Sequence, residues 1–153
     1  MAAADVVIGP ATPADLAGVA GIFAHYVTGS LVTFEETPPA VADWQHRLDD
    51  LAGPWRRQPA YRHTVEDSVY LAAGRTGQGL GRALLGPLLA RCGQAGARQV
   101  VAVIADAGAD SEASVALHRS FGFVYAGRLA RVGHKHGRWI DTVLMQRDLP
   151  TMA

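Results

Sequence analysis

The stretch GRTGQGLGRALL, residues 74–85, decides the predicted fold because it places four glycines directly before a run of helix-forming residues. Glycine has no Cβ, so successive backbone N–H groups in such a turn can point outward toward a ligand. A helix that begins near Gly79 would add the positive end of its dipole to those N–H groups. The stretch therefore predicts a strand, a phosphate-binding turn and a helix, in that order.

The spacing of the glycines restricts the phosphate ligand. A nucleoside-triphosphate loop requires Lys and then Ser or Thr after its last glycine, but Leu80 follows Gly79 and Arg82 follows Gly81. A dinucleotide-binding turn requires an acidic residue about twenty positions further on, and here the next acid is Asp106. The first ligand is excluded and the second is weakly supported. A turn in which glycine serves only the backbone shape stays open.

The segments before this stretch predict strands and helices. TVEDSVYLA, residues 64–72, alternates between two faces, and Glu66 lies on the more polar face with Ser68 and Tyr70. Further upstream, DVVIG (residues 5–9) predicts a buried strand, and residues 12–27 and 36–51 predict two helices. The chain thus enters the glycine turn from a strand that has one polar face.

The segments after the stretch complete the predicted domain. RQVVAVIAD, residues 98–106, is a β-branched run typical of a strand that is buried on both faces. SEASVALHRSFGF, residues 111–123, predicts a helix with Ser111 as its N-cap, and two strands joined around Gly137 end the chain. This order predicts an α/β (α+β) domain built on a mixed sheet.

Composition and charge limit the class of protein. With 153 residues, of which 49% are hydrophobic, we expect one domain that spans residues 1–153. The 14 basic residues balance 14 acidic ones, which argues against nucleic-acid and membrane partners. The first residues lack a basic signal-peptide start, and the lone Cys92 fits a reducing compartment. These features predict a cytoplasmic protein.

The glycine stretch also carries a resemblance to a known family. RTGQGLGRALL resembles the pyrophosphate-binding motif of the GNAT acetyltransferases, Q/R-x-x-G-x-G/A, with Gly79 and Gly81 as its two glycines. Thr76 stands where that family prefers Gln or Arg, and Arg75 lies one residue earlier. Further segments are similar, in order and spacing, to the phosphinothricin, methionine sulfone and methionine sulfoximine branch; they are FEETP, AGPWRRQPAYRHTVE, TVEDSVYL, VAVIAD, ASVALHRSFGF and VGHKHGRWIDTVLMQRDL.

This resemblance implies a GNAT fold, which is a mixed twisted sheet flanked by helices. In the family, two strands in a hairpin follow the helix that ends near Leu51, whereas AGPWRR follows Leu51 at once in this chain. We therefore expect a sheet that lacks the usual second and third strands. Such a loss would expose apolar surface and unpaired strand edges, with consequences for stability and activity.

The resemblance implies acetyl-CoA as the cofactor, held where the strand of residues 64–71 splays from that of residues 98–106. The pantetheine arm would pair with the backbone of Val69, Tyr70 and Leu71. The pyrophosphate would lie on the glycine turn, whose residues are Arg75, Thr76, Gly77, Gln78, Gly79, Leu80, Gly81 and Arg82. Ser111 replaces an Asn that many relatives carry near the pantetheine.

Acetyl transfer from a thioester to an amine needs a base for the amine and a proton donor for the leaving thiolate. Glu66 is the candidate base, directly or through a water; its alternative is a strand carboxylate that pairs with an Arg. His118 occupies the position where many relatives carry a proton-donating Tyr, and its alternative is a helix histidine without a proton role. His136 matches a histidine of the phosphinothricin branch and is a second catalytic candidate.

Recognition of an amino-acid acceptor requires a cation for the acceptor carboxylate, and a bidentate Arg suits that carboxylate best. Arg62, four residues before Glu66, is the first choice, with Arg56 and Arg57 behind it. The alternative is that these arginines belong to a solvated loop, as most surface arginines do.

Other residues are expected to shape the acceptor pocket. Phe34 and Glu35 resemble the wall that meets the acceptor side chain, and Lys135 and Trp139 are expected to line the same pocket. No metal is expected, because no carboxylate or Cys at matching spacing completes a zinc set with His134 and His136.

The predicted function is transfer of an acetyl group from acetyl-CoA to the α-amino group of a small amino acid such as phosphinothricin, methionine sulfone or methionine sulfoximine. One alternative is a CoA-binding domain with little or no turnover because of the missing hairpin. Another is a regulatory module that binds a nucleotide on the glycine turn. The resemblance also implies a homodimer.

Overall fold

The computed structural model describes residues 6–48 and 53–150 of the chain. These residues contain four α-helices and five β-strands. The helices are α1 (Leu16–Gly29), α2 (Val41–Leu48), α3 (Leu80–Gln94) and α4 (Ala109–Ser120). The strands are β1 (Gly53–Pro54), β2 (Thr64–Asp67), β3 (Gln99–Ala105), β4 (Val124–Lys135) and β5 (Arg138–Asp148). The predicted α/β arrangement is confirmed.

The strands form one mixed sheet in the order β1-β2-β3-β5-β4. Among these described strands, only β2 and β3 are parallel, and α3 is the crossover between them. β1 has two residues and pairs antiparallel with β2 at the edge of the sheet. Leu51, after which the two family strands are expected to be missing, lies outside the described residues. In the described residues before β2, β1 is the one strand present, which agrees with a shortened sheet.

The strand expected at residues 5–9 is wrong for the part that the structure describes. Residues 6–10 form no strand, and the side chains of Val6, Val7 and Ile8 are 49%, 90% and 39% exposed. Backbone N–H and C=O groups favour a strand only where a neighbouring strand can pair with them. Residues 6–10 pair with none of the described strands, so this apolar segment stays exposed.

The main core lies between α3 and the sheet. Leu85, Leu89 and Cys92 of α3 pack with Val100 of β3 and Met145 of β5. Burying side chains of this size contributes about 1.5–3 kcal/mol each to the free energy of folding. Cys92 is a free, buried thiol within this core, so packing explains its presence.

The parallel pair opens into a V at the carboxyl end of β2. The β2–β3 ladder ends at Asp67 and Ala102, whereas β3 continues to Ala105. Residues 68–71 therefore leave the sheet. The hydroxyl of Tyr26 on α1 donates a hydrogen bond of 2.6 Å to the Leu71 carbonyl and holds the departing segment.

None of the helices in the described residues combines the length and the apolar character that a membrane crossing requires.

Candidate active site

Two clefts meet where β2 leaves β3. The glycine-loop cleft, about 500 Å³, lies between residues 68–71, residues 76–82 and α4. The α2 cleft, about 910 Å³, lies between α1, α2, residues 32–35 and the end of β2. Five residues line both clefts; they are Val32, Asp67, Ser68, Tyr70 and Val103. Both volumes suit small-molecule binding, so the junction can bring two ligands together.

The glycine turn has the backbone that the sequence predicts. Gly74, Gly77 and Gly79 adopt φ angles of +74°, +73° and +79°, and α3 begins at Leu80 directly after them. A left-handed turn that leads into a helix N-terminus suits an anionic phosphate. Gly81 is required for a different reason than the backbone conformation. A Cβ at this position would lie only 3.0 Å from Cδ2 of Leu117 on α4. Gly81 therefore permits close packing of α3 against α4.

Most of the residues predicted to bind the cofactor line the glycine-loop cleft. They are Val69, Tyr70, Leu71, Thr76, Gly77, Gly79, Gly81, Arg82 and Ser111. Arg75, Gln78 and Leu80 lie in the same turn but outside that lining. The Gln78 side-chain amide instead donates to the Gly74 carbonyl at 3.1 Å and closes the turn.

Ser111 is not the N-cap of its helix, because α4 begins at Ala109 after Gly108. Its buried hydroxyl donates to the Ala105 carbonyl at 2.6 Å and accepts from the Ala107 N–H at 2.5 Å. Ser111 thus joins the end of β3 to the first turn of α4. This contact fixes one wall of the glycine-loop cleft.

Glu66 lies half-buried in β2 and lines the α2 cleft. Burial and the negative charge of Asp67 raise the pKa of Glu66 above its ordinary value, while the positive charge of Arg56 opposes that rise. A carboxylate with a raised pKa is a stronger base. The position and the electrostatics of Glu66 both suit proton abstraction from a ligand in this cleft.

His118 and Asp67 form a buried pair beneath the junction. Nε2 of His118 lies 2.9 Å from Oδ2 of Asp67, and Nδ1 lies 2.7 Å from the Ser114 carbonyl. Burial lowers the pKa of His118, but the hydrogen bond and charge of Asp67, together with the Ser114 carbonyl, raise it above its ordinary value overall. Both ring nitrogens face acceptors, so the imidazolium is the form that satisfies both. The other Asp67 oxygen, Oδ1, is buried without a hydrogen-bond partner among the described residues.

His136 and Trp139 lie at the β4–β5 hairpin, away from the lining of both clefts. His136 is exposed in the turn at a φ of +49°, next to Gly137. Trp139 is 64% exposed and packs against the ring of His134 at 4.8 Å. The structure brings neither side chain to Glu66.

The predicted acceptor residues fall into three groups. Phe34 and Glu35 line the α2 cleft as expected. Arg62 is exposed in the loop before β2, where its guanidinium donates to the Pro59 carbonyl at 3.2 Å. Lys135 is only 2% exposed and lies behind the cleft, where Nζ donates to the Thr33 carbonyl at 2.9 Å.

Sequence reasoning missed one cation of this cleft. Arg47 on α2 lines the α2 cleft, 3.4 Å from Glu35, and its guanidinium lies over the Trp44 ring at 5.0 Å. The available signal is the spacing of Trp44 and Arg47, which puts both on one side of α2. Arg56 packs on Trp55 at 4.6 Å and reaches Glu66 through its charge. Arg57 is exposed.

Within residues 6–48 and 53–150, no three His, Cys, Asp or Glu side chains converge as a metal-binding group would.

Residues 16–123 of this chain match the Acetyltransferase (GNAT) family. A phosphinothricin N-acetyltransferase from Alcaligenes faecalis is 42% identical over 156 residues, which cover 88% of this chain and 78% of that protein. An L-methionine sulfoximine/L-methionine sulfone acetyltransferase from Pseudomonas aeruginosa is 34% identical over 163 residues, which cover 92% of this chain and 93% of that one. Both alignments are longer than the 153 residues of this chain, so both relatives have residues without a counterpart here.

Comparison of the fold with solved structures gives the same family. The crystal structure of a GNAT superfamily phosphinothricin acetyltransferase from Sinorhizobium meliloti, in complex with AcCoA, has a TM-score of 0.84 and 38% sequence identity. The superposition covers 92% of this chain and 86% of that one. The resemblance and the GNAT fold predicted from the sequence are therefore confirmed, and the chain belongs to the acetyltransferase (GNAT) family.

Proposed function

We propose that this protein transfers an acetyl group from acetyl-CoA to the α-amino group of a small amino acid such as phosphinothricin, methionine sulfone or methionine sulfoximine. The observation that carries the proposal is the junction of the two clefts, with the glycine turn in one cleft and Glu66 in the other. Relatives at 42% and 34% identity are named for these acceptors, and the structure from Sinorhizobium meliloti is described with AcCoA.

The residues of the glycine-loop cleft fit acetyl-CoA. The left-handed turn and the α3 N-terminus suit its pyrophosphate, and the backbone of residues 68–71, which leaves the sheet, suits its pantetheine arm. When bound, acetyl-CoA supplies the acetyl thioester. Glu66 would take one proton from the acceptor ammonium, so that the neutral amine could bond to the thioester carbonyl carbon as the carbon–sulfur bond breaks. The nitrogen would release a second proton to give the amide, and this loss balances the proton that the thiolate takes up. An α-ammonium group has a pKa of about 7.7–8.0, so a base with a modestly raised pKa suffices.

The leaving thiolate must then receive a proton, and His118 is the candidate that the sequence predicts for this step. The side chain of His118 lines the glycine-loop cleft. Its two ring nitrogens already contact Asp67 and Ser114, so donation requires that one of these contacts opens. His136 remains a prediction, since its exposed turn lies away from both clefts.

For the acceptor carboxylate we propose Arg47 in place of Arg62. Arg47 lines the α2 cleft, whereas Arg62 points its guanidinium at its own loop. The guanidinium of Arg47 is held over Trp44, and its ion pair with Glu35 is long at 3.4 Å and half exposed. Such a pair contributes about 0–1 kcal/mol, so an acceptor carboxylate can compete for the guanidinium.

A second candidate function is acetyl-CoA binding with little or no turnover. The exposed apolar segment at residues 6–8 and the two-residue strand β1 favour it, because both are what we expect of a sheet that lacks strands on the Glu66 side. Gly53 pairs with Glu66 itself, so the described strand that supports the base on that side is very short.

The experiment that separates these functions measures free CoA thiol released from acetyl-CoA by the 153-residue protein. The acceptors are methionine sulfone and phosphinothricin, with a blank that lacks an acceptor, and calorimetry measures acetyl-CoA binding in the same sample. Acceptor-dependent thiol release supports the transferase. Binding of acetyl-CoA without release supports the second candidate, and absence of both contradicts each of them.

We further propose a cytoplasmic homodimer whose protomers are single domains of residues 1–153. The edge strand β4 supports association, because it is twelve residues long and exposes the apolar side chains of Val124, Tyr125, Leu129 and Val132. The free thiol of Cys92 fits a reducing compartment. Light scattering on the purified protein tests the dimer, and a monomeric mass at micromolar concentration would contradict it.

A further inference from the structure

The wall of the α2 cleft is anchored from the opposite edge of the sheet. Residues 30–40 connect α1 to α2, and residues 30–36 of this connection pass across to β4. Nζ of Lys135 on β4 donates to the Thr33 carbonyl at 2.9 Å and to the Tyr26 carbonyl at 3.4 Å. Lys135 is 2% exposed, so these bonds form in a dry environment where they are strong. They fix the backbone next to Phe34.

Gly133 makes the second contact between this segment and β4. Side chains two residues apart point to the same side of a strand, so Gly133 lies beside Lys135 beneath the segment. A Cβ built on Gly133 would overlap the ring of Phe34, because it would lie 2.5 Å from Cδ1 and closer still to Cε1. Gly133 does not have a positive φ. The absence of a side chain at position 133 therefore makes room for the ring of Phe34 and is not required by the backbone conformation.

The ring of Phe34 touches β4 on one side and lines the α2 cleft on another. Its position thus depends directly on how closely it can approach the strand. Phe34 is 42% exposed, which leaves it room to move away from β4 if that approach is blocked. Any such movement of the ring changes the shape of the α2 cleft next to Glu35. Phe34 does not line the glycine-loop cleft, so that cleft keeps its shape.

We propose that Gly133 determines acceptor specificity by seating the ring of Phe34 against β4. This inference rests on the proposed function, in which the α2 cleft receives the acceptor side chain. Gly133 is a positioning residue, since it acts through Phe34. A methyl group at position 133 pushes the ring away from β4 and alters the space for the acceptor side chain, while the acetyl-CoA site is unchanged.

The kinetic test compares Gly133→Ala with Gly127→Ala. Both glycines lie in β4, neither has a positive φ, and a Cβ on Gly127 would meet nothing within 4 Å. We expect Gly133→Ala to raise KM for methionine sulfone about tenfold, as one misfitting methyl group does in an apolar pocket, with KM for acetyl-CoA unchanged. Gly127→Ala should match the wild type. Equal acceptor KM values for the two variants would overturn the proposal.

A second variant separates ring displacement from damage to the strand. Phe34→Leu removes the ring that meets the new methyl group, so Gly133→Ala combined with Phe34→Leu should recover most of the acceptor KM measured for Phe34→Leu alone. Additive losses in the double variant would indicate a distorted β4 and overturn the proposal.

Thermal unfolding of the wild type, the two single variants and the double variant tests the contact without catalysis. We expect Gly133→Ala to lower Tm more in the protein with Phe34 than in the Phe34→Leu background. Equal decreases in Tm would overturn the contact between Gly133 and Phe34. If the wild type transfers acetyl to none of the acceptors while this coupling in Tm is present, the proposed function fails and the Gly133–Phe34 contact stands.

Discussion

Replacement of Asp67 by Asn should destabilise the protein strongly at acidic pH and only weakly at alkaline pH. The wild-type pair is buried, with side-chain exposures of 6% for His118 and 1% for Asp67. Asn keeps the shape and one acceptor oxygen but removes the negative charge that favours the imidazolium. At pH 5.5 the variant must either bury an unpaired imidazolium or remove its proton.

The size of this effect follows from the two costs. Removing the proton from a histidine with an ordinary pKa near 6.5 costs about 1.4 kcal/mol at pH 5.5. Exchanging a charge-assisted hydrogen bond for a neutral one costs about 1 kcal/mol more. The free energy of unfolding should therefore fall by about 2–3 kcal/mol, which for a domain of this size lowers Tm by roughly 5–10 °C.

The sign of the pH dependence follows from the raised pKa of His118. A raised folded-state pKa contributes stability that is complete below the unfolded value near 6.5 and is lost as pH rises through the folded value. The Tm difference between wild type and Asp67→Asn should therefore be largest at pH 5.5 and shrink toward pH 9. Glu112→Gln, an acid-to-amide change at an exposed position of the same helix, is the control. A Tm difference that is constant or grows with pH would refute a charged His118.

Three further outcomes concern catalysis. Glu66→Gln should lower kcat by about 10²–10⁴-fold and abolish the acid limb of the pH–rate profile. Asp67→Asn should move that limb to lower pH, because the Asp67 charge is one cause of the raised Glu66 pKa. Unchanged pH–rate profiles of both variants in steady-state assays would contradict the assignment of Glu66 as the base. Arg47→Ala should raise KM for the acceptor about tenfold, the equivalent of about 1.4 kcal/mol, whereas Arg62→Ala should not, and the reverse result would restore Arg62 as the carboxylate partner. Tyr26→Phe removes the 2.6 Å hydrogen bond to the Leu71 carbonyl and should raise KM for acetyl-CoA severalfold in the same assay. An unchanged KM would show that residues 68–71 keep their position without this hydrogen bond.

Local sequence patterns predicted the parts of the site that depend on backbone conformation. Glycines with positive φ followed by a helix, and an alternating strand before them, are short-range features with few competing structures. The strand expected at residues 5–9 failed for the opposite reason. Its β-branched run, Val6 to Ile8, matches the local preference for a strand, but a strand also needs a partner, and that partner is a property of the whole sheet.

The side chains that position the site could not be predicted because their partners are far away in sequence. His118 meets Asp67 across 51 residues, and Lys135 meets Thr33 across 102. The sequence predicts only that Lys135 lines the acceptor pocket, and most other residues of its strand are exposed in the structure. Only the packing of residues 30–36 on β4 turns it into a buried anchor. A buried charge is costly unless its hydrogen bonds are made, and that cost has no signature in the local pattern.

In the described residues before β2, β1 is the one strand, yet the cofactor side of the molecule is complete for a topological reason. The end of β2, the glycine turn, α3, β3 and the start of α4 follow one another within residues 64–120 without interruption, and α3 joins the parallel strands β2 and β3. The acceptor side is built instead from α1, α2 and residues 30–36, which are separated from β2 in the sequence by residues 49–63. Two long-range contacts on β4, from Lys135 and Gly133, hold residues 30–36 independently of that segment. Both clefts are therefore present beside a short β1, and the opposite edge of the sheet supports the acceptor wall.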